Sequence, residues 1–183
     1  MSAFCIHLND DTPLFSSGYT HPTFSDRKHI TVDIGLVNSY WKQRLLDHDL
    51  ELLVLELFYG PPNCPYTLGI HTDAGNVGSI SDFGKINWMF GGEGSTMHWY
   101  KIIQRREKEQ LKTPVGSEYN LFESDEVQMI HSNVIKNPSI VQAGIPHNII
   151  NFEKERWSYS MKIKDNLTNR RVTFGRLKSA FEQ

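Results

Sequence analysis

Cysteine is nearly absent. The chain of 183 residues holds only two, Cys5 and Cys64, far apart and without C-x-x-C spacing, so neither a disulfide framework nor a thiolate zinc site is expected. Long apolar runs are missing as well: nothing approaches the roughly 18 residues of a membrane span. The opening MSAFCIHLNDDTPLF has neither the basic n-region nor the apolar h-region of a secretory leader. The expectation is a cytoplasmic protein with no membrane partner. No single sign of charge dominates, since 19 Lys and Arg against 21 Asp and Glu leave a net charge of −2. No broad field therefore draws the chain to nucleic acid, and no nucleic-acid partner is expected. The basic stretches KIIQRREKEQLK and NRRVTFGRLK read most simply as a solvated helix face or a frayed tail. Repeats of about 20 to 50 residues and low-complexity segments are also lacking. What remains is an ordinary globular composition, 39% hydrophobic and 22% charged, in one domain, 1–183, with room for one real core.

Residues 1–49 form a flanking segment. KHITVDIG predicts a short strand, and LVNSYWKQRLLDHDL has helical apolar spacing at Leu36, Tyr40, Trp41, Leu45 and Leu46. From Leu50 the pattern turns to short β-type runs punctuated by Gly, Pro, Asn and Asp. These are LELLVLELFY, YTLGIH, KINWMFGG, STMHWYKII, VQMIHSNV, SIVQAG, HNIINF and RWSYSMKI. Such a series predicts a sandwich or barrel core over 50–164, followed by a tail over 165–183. RWSYSMKI alternates, with Trp157, Tyr159, Met161 and Ile163 on one side and Arg156, Ser158, Ser160 and Lys162 on the other. LELLVLELFY does not alternate cleanly, because Glu51 and Glu56 fall on opposite faces. The long interruption 104–126 is either a lid or a surface insertion.

In LGIHTDAGN, His71 and Asp73 stand two positions apart. They are either two metal ligands or part of a strand-end turn closed by an Asx bond. A site of two imidazoles and one carboxylate needs a further histidine from elsewhere. His98 and His131 read as ordinary polar-face residues, whereas a Gly-Ile-Pro turn delivers His147 to the start of a strand. Across the short turn EKE the next strand opens with Arg156-Trp157-Ser158. Adjacent antiparallel strands joined this way can bring His147 and the polar face of the last strand to one cavity.

The ordered set His71-x-Asp73, His147 and Arg156-x-Ser158 on eight β-runs resembles the iron(II)- and 2-oxoglutarate-dependent oxygenases. GKINWMFGGEGSTMHWYK is similar to a compact branch of that family common in marine phage and bacterial sequences. The resemblance covers roughly residues 50 to 164 and implies a mainly β fold, a double-stranded β-helix (jelly-roll, cupin-like) core with a flanking N-terminal helix. In that family the H-x-D follows the second core strand, the second His comes from the seventh and the basic residue from the eighth. The resemblance implies Fe(II) held by His71, Asp73 and His147, with 2-oxoglutarate and O2 as co-substrates and succinate and CO2 as products. Arg156 would take the distal carboxylate of 2-oxoglutarate, helped by Ser158, while Asn87 and Tyr66 are candidates for its other end. The substrate implied is a small molecule, a free amino acid or a peptide side chain. Arg in place of Lys on the last strand gives little support to a collagen-type prolyl hydroxylase. Two other classes stay open: a cupin-type metal enzyme that does not use 2-oxoglutarate, and a non-catalytic jelly-roll binding module.

Overall fold

The structure is a computed structural model that describes residues 4–62, 69–73, 82–104, 106–107, 110–150 and 154–182. Its strands in chain order begin with β1 (Cys5–His7), β2 (Lys28–Val32), β3 (Leu50–Gly60), β4 (Ile70–Asp73), β5 (Gly84–Gly91) and β6 (Thr96–Ile102). They continue with β7 (Leu111–Lys112), β8 (Glu118–Phe122), β9 (Val127–Val134) and β10 (Ser139–Gln142). The last three are β11 (His147–Ile150), β12 (Arg156–Asp165) and β13 (Arg170–Arg171). Two helices, α1 (Ser39–Leu46) and α2 (Phe174–Phe181), flank them. No described helix is long and apolar enough to cross a membrane.

The fold is mainly β, built as two antiparallel sheets. One runs β1-β10-β5-β12-β3-β2 with β13 added to β12, and the other runs β7-β8-β4-β11-β6-β9. The chain crosses between the two from β3 to β6 and again from β9 to β12, with β6 to β9 staying in the second: β3, β5, β10 and β12 lie in the first sheet, and β4, β6, β9 and β11 in the second.

The two faces of the first sheet differ because its strands alternate in residue type. Leu55, Leu57, Ile86, Trp88, Tyr159 and Met161 belong to one buried cluster with Trp41, Leu45, Leu177 and Phe181 of the helices. Burying a side chain of this size contributes about 1.5–3 kcal/mol. Trp41 is wholly enclosed and meets Trp88 edge-on, with ring centroids 4.9 Å apart. The opposite face of the sheet carries Glu56, Lys85, Asn87, Ser158 and Ser160, and looks across a cavity toward the second sheet.

Four expectations change in detail. LELLVLELFY fails to alternate because of a bulge: Lys162 pairs with Val54 and Ile163 with Leu52, which leaves Leu53 as the extra, exposed residue. The phase shift keeps Leu50 and Leu52 on the same core side as Leu55 and Leu57. In α1, whose N-cap Asn38 accepts from the Tyr40 N–H, only Trp41 and Leu45 are buried; Tyr40 and Leu46 are exposed, and Leu36 falls before the helix, exposed at the end of a 3-10 turn. Two turns of helix can press only a narrow stripe on the sheet. The tail is not frayed over 174–181, because Thr173 caps α2 and Phe174, Leu177, Ala180 and Phe181 pack into the core. The 104–126 interruption contains β7 and β8, and β8 pairs along the whole of β4.

Candidate metal centre and its cavity

His71 and Asp73 are two residues apart on β4, and strand geometry therefore points both side chains to one face. His147, the first residue of β11, is the direct cross-strand partner of His71. The two imidazole centroids lie 4.4 Å apart. One donor atom from each of His71, Asp73 and His147 lies within 4.8 Å of the other two.

Each imidazole is oriented by its own strand entry. The Nδ1–H of His71 donates to the Gly69 carbonyl at 2.8 Å, and that of His147 donates to the Ile145 carbonyl at 2.8 Å. A proton on Nδ1 leaves Nε2 with a lone pair, the state in which histidine binds a metal. Burial lowers the pKa of both imidazoles, and His147 falls to about 3 with His71 beside it adding to the effect. Both are neutral donors at neutral pH. Burial alone would raise the Asp73 pKa, but the adjoining Lys85 ammonium leads the groups that hold it well below the usual carboxylate range. Two neutral imidazoles and one carboxylate on one side of a cavity match an Fe(II) site with open positions, and a metal ion could be held there.

The cavity measures about 400 Å³ and lies between the sheets. From the second sheet it takes the three candidate ligands, with Met97 and Ile149 as apolar wall; from the first it takes Asn87, Arg156, Ser158 and Ser160. β11 and β12 are therefore not the antiparallel neighbours that their short connection suggested. β11 pairs with β4 and β6 while β12 pairs with β3 and β5, so His147 and Arg156 reach one cavity from opposite walls.

Arg156 is half-buried, and burial lowers its pKa from 12.5 to about 10. Its Nε donates to Met89 Sδ at 2.9 Å, and among the described residues no carboxylate pairs with it. Glu155, a conceivable partner, instead accepts from the Tyr59 hydroxyl at 2.7 Å. The FGGEGS turn presses on this arginine: a Cβ on Gly92 would lie 2.9 Å from Arg156 Cδ, at a backbone φ of +59°. Among the described residues, the Asn87 Oδ1 and the Ser160 Oγ are buried without a hydrogen-bond partner, and such atoms await a ligand or water. Tyr66 lies outside the described residues. His98 and His131 do not line the cavity; His98 sits near the Tyr100 hydroxyl and His131 packs on Phe4 and Trp99.

Sequence reasoning missed the charged group beside the triad. Lys85 is buried with its Nζ 2.6 Å from Asp73 Oδ2 and 3.8 Å from Glu56 Oε2. Glu56 also meets Lys162 at 2.8 Å, His29 at 3.3 Å and the Ser117 hydroxyl at 2.7 Å. Period-two counting back from Asn87 puts Lys85 on the cavity face. A search of protein-family models, curated proteins and solved structures finds no match to this chain, so the functional reading rests on the site itself.

Proposed function

We propose that the protein is an Fe(II)- and 2-oxoglutarate-dependent dioxygenase that hydroxylates a small molecule, a free amino acid or a peptide side chain, with release of succinate and CO2. The observation that carries this is the cross-strand pair His71 and His147 with Asp73, facing a cavity whose opposite wall offers an arginine with no carboxylate partner among the described residues. The strand order supports a double-stranded β-helix core: β12 sits between β3 and β5, and β11 sits between β4 and β6.

Bound at the triad, Fe(II) would supply the redox chemistry that couples decarboxylation of the 2-oxo acid to oxidation of a C–H bond. The chain's own work is holding and excluding. His71, Asp73 and His147 take the ion. Arg156 offers a planar two-point contact to the distal carboxylate, and the buried Ser158 hydroxyl on the same face adds a donor. The Asn87 amide, on the neighbouring strand β5, offers an N–H to the other end of the co-substrate. Met97, Val141 and Ile149 keep that part of the cavity apolar. A cupin-type enzyme that does not use 2-oxoglutarate would leave Arg156 without a ligand, and a buried cation needs one.

A succinate-release screen with Fe(II) and 2-oxoglutarate against amino acids, short peptides and nucleosides tests the proposal. One substrate class should raise succinate above the uncoupled background. Turnover that needs no Fe(II), or no succinate from any panel member or from 2-oxoglutarate alone, would overturn it.

A further inference from the structure

Lys85 is only 3% exposed, yet its ammonium points at a candidate metal ligand rather than at solvent. Its Nζ lies 2.6 Å from Asp73 Oδ2, while Asp73 Oδ1 lies 3.6 Å from His71 Nε2. One carboxylate oxygen is held by a cation, and the other faces the imidazoles. Lys85 is fixed in turn by β5, which pairs with β10 and β12 on its two sides, and by Glu56 at 3.8 Å. Glu56 does not depend on Lys85 alone, since Lys162 lies 2.8 Å from it. The buried cluster is thus balanced, two ammoniums against two carboxylates.

We infer that Lys85 is a positioning residue that makes Asp73 a one-oxygen ligand, so that a co-substrate chelating through two atoms finds room on the ion; the inference rests on the metal site proposed above. A carboxylate that gives one oxygen, with two imidazoles, leaves half of an octahedral shell open. A carboxylate that gives both would take a further position from that open half. Hydrogen bonds to the non-ligating atoms of metal ligands commonly set such orientation.

The test titrates Mn(II), in place of Fe(II), into the whole protein by calorimetry, and then 2-oxoglutarate into the Mn(II)-loaded protein. In Lys85→Met the loss of a nearby cation favours the dication while the loss of orientation disfavours it, so Mn(II) affinity should stay within about threefold of the parent. Affinity for 2-oxoglutarate should fall about tenfold or more. Lys85→Arg, which keeps the donor, should recover most of that loss. If Lys85→Met folds poorly, Lys85→Met with Glu56→Gln removes one charge of each sign and should show the same split.

Unchanged 2-oxoglutarate affinity in the methionine variants would overturn the inference. So would Mn(II) and 2-oxoglutarate affinities falling together without rescue by arginine, since that is what a merely structural lysine predicts. Parent protein that binds Mn(II) and 2-oxoglutarate beside an unaffected Lys85→Met variant would sink this inference alone. Parent protein that binds no metal would sink the proposed function and this inference with it.

Discussion

Replacing Arg156 with methionine should make the ligand-free protein more stable while disabling its co-substrate site. The guanidinium is half-buried against Met89 with no carboxylate partner among the described residues, and burial takes its pKa from 12.5 to about 10. At about 1.4 kcal/mol for each tenfold change in proton affinity, the charged form costs the fold roughly 3 kcal/mol. A cation whose folded pKa is depressed destabilises the fold at every pH below that pKa, so the full cost is present at pH 7. Solvent at the open end of the side chain screens part of it, leaving about 1–3 kcal/mol to recover. Methionine keeps the stem and packs on Met89, so for a chain of this size the melting midpoint should rise by roughly 3 to 10 °C. Added Mn(II) and 2-oxoglutarate should close or reverse the gap. At about one hundred times its dissociation constant, the co-substrate stabilises the parent by about 2.7 kcal/mol, and the variant should gain almost none of this. Differential scanning fluorimetry with and without the ligands reads both effects. A variant that melts lower than the parent when ligand-free, or gains as much from 2-oxoglutarate, would refute the reasoning.

Two further perturbations follow from the same geometry. Burial opposes ionisation of Glu56, but His29, Lys85, Lys162 and Ser117 outweigh it and hold the pKa at about 2, below the ordinary 4.5. Its contribution to stability is therefore present above pH 4.5 and is lost as the pH falls toward 2. Glu56→Gln should lower the urea midpoint at pH 7 and flatten the dependence over that acid window; an unchanged acid slope would contradict the ion-pair cluster. Gly92→Ala should weaken 2-oxoglutarate binding, because its Cβ would meet Arg156 Cδ at 2.9 Å. The left-handed backbone there should add a stability loss of about 1–2 kcal/mol, and co-substrate binding equal to the parent's would show that the arginine is placed by something other than this turn.

The fold's main strands were legible because branched and aromatic runs are broken by strong turn residues, and the alternation in RWSYSMKI survives in β12 as one face on the helices and one on the cavity. What was not legible depended on pairing. Nothing in LELLVLELFY marks Leu53 as the bulge, because every neighbouring position is equally apolar. The five residues of β8 become a strand through pairing with β4 on one side and β7 on the other, at positions set by the tertiary fold. α2 had a readable stripe at Phe174, Leu177 and Phe181, but Arg176 and Lys178, with Arg170 and Arg171 just before the helix, suggested a tail. At the site, His71, Asp73 and His147 could be singled out by residue type and spacing, yet the cross-strand placement of His71 on His147 required the sheet order. Lys85 escaped notice because a lysine in a strand ordinarily reaches water, and only the structure shows the two carboxylates that hold it inside.

The most direct measurement is an anaerobic titration of Fe(II) into the parent and into the His71→Ala, Asp73→Ala and His147→Ala variants, each followed by 2-oxoglutarate. The parent should bind one ion per chain and then develop a weak visible charge-transfer band on adding the 2-oxo acid, and each variant should lose both the ion and the band. Fe(II) affinity unchanged in all three variants would contradict the metal centre.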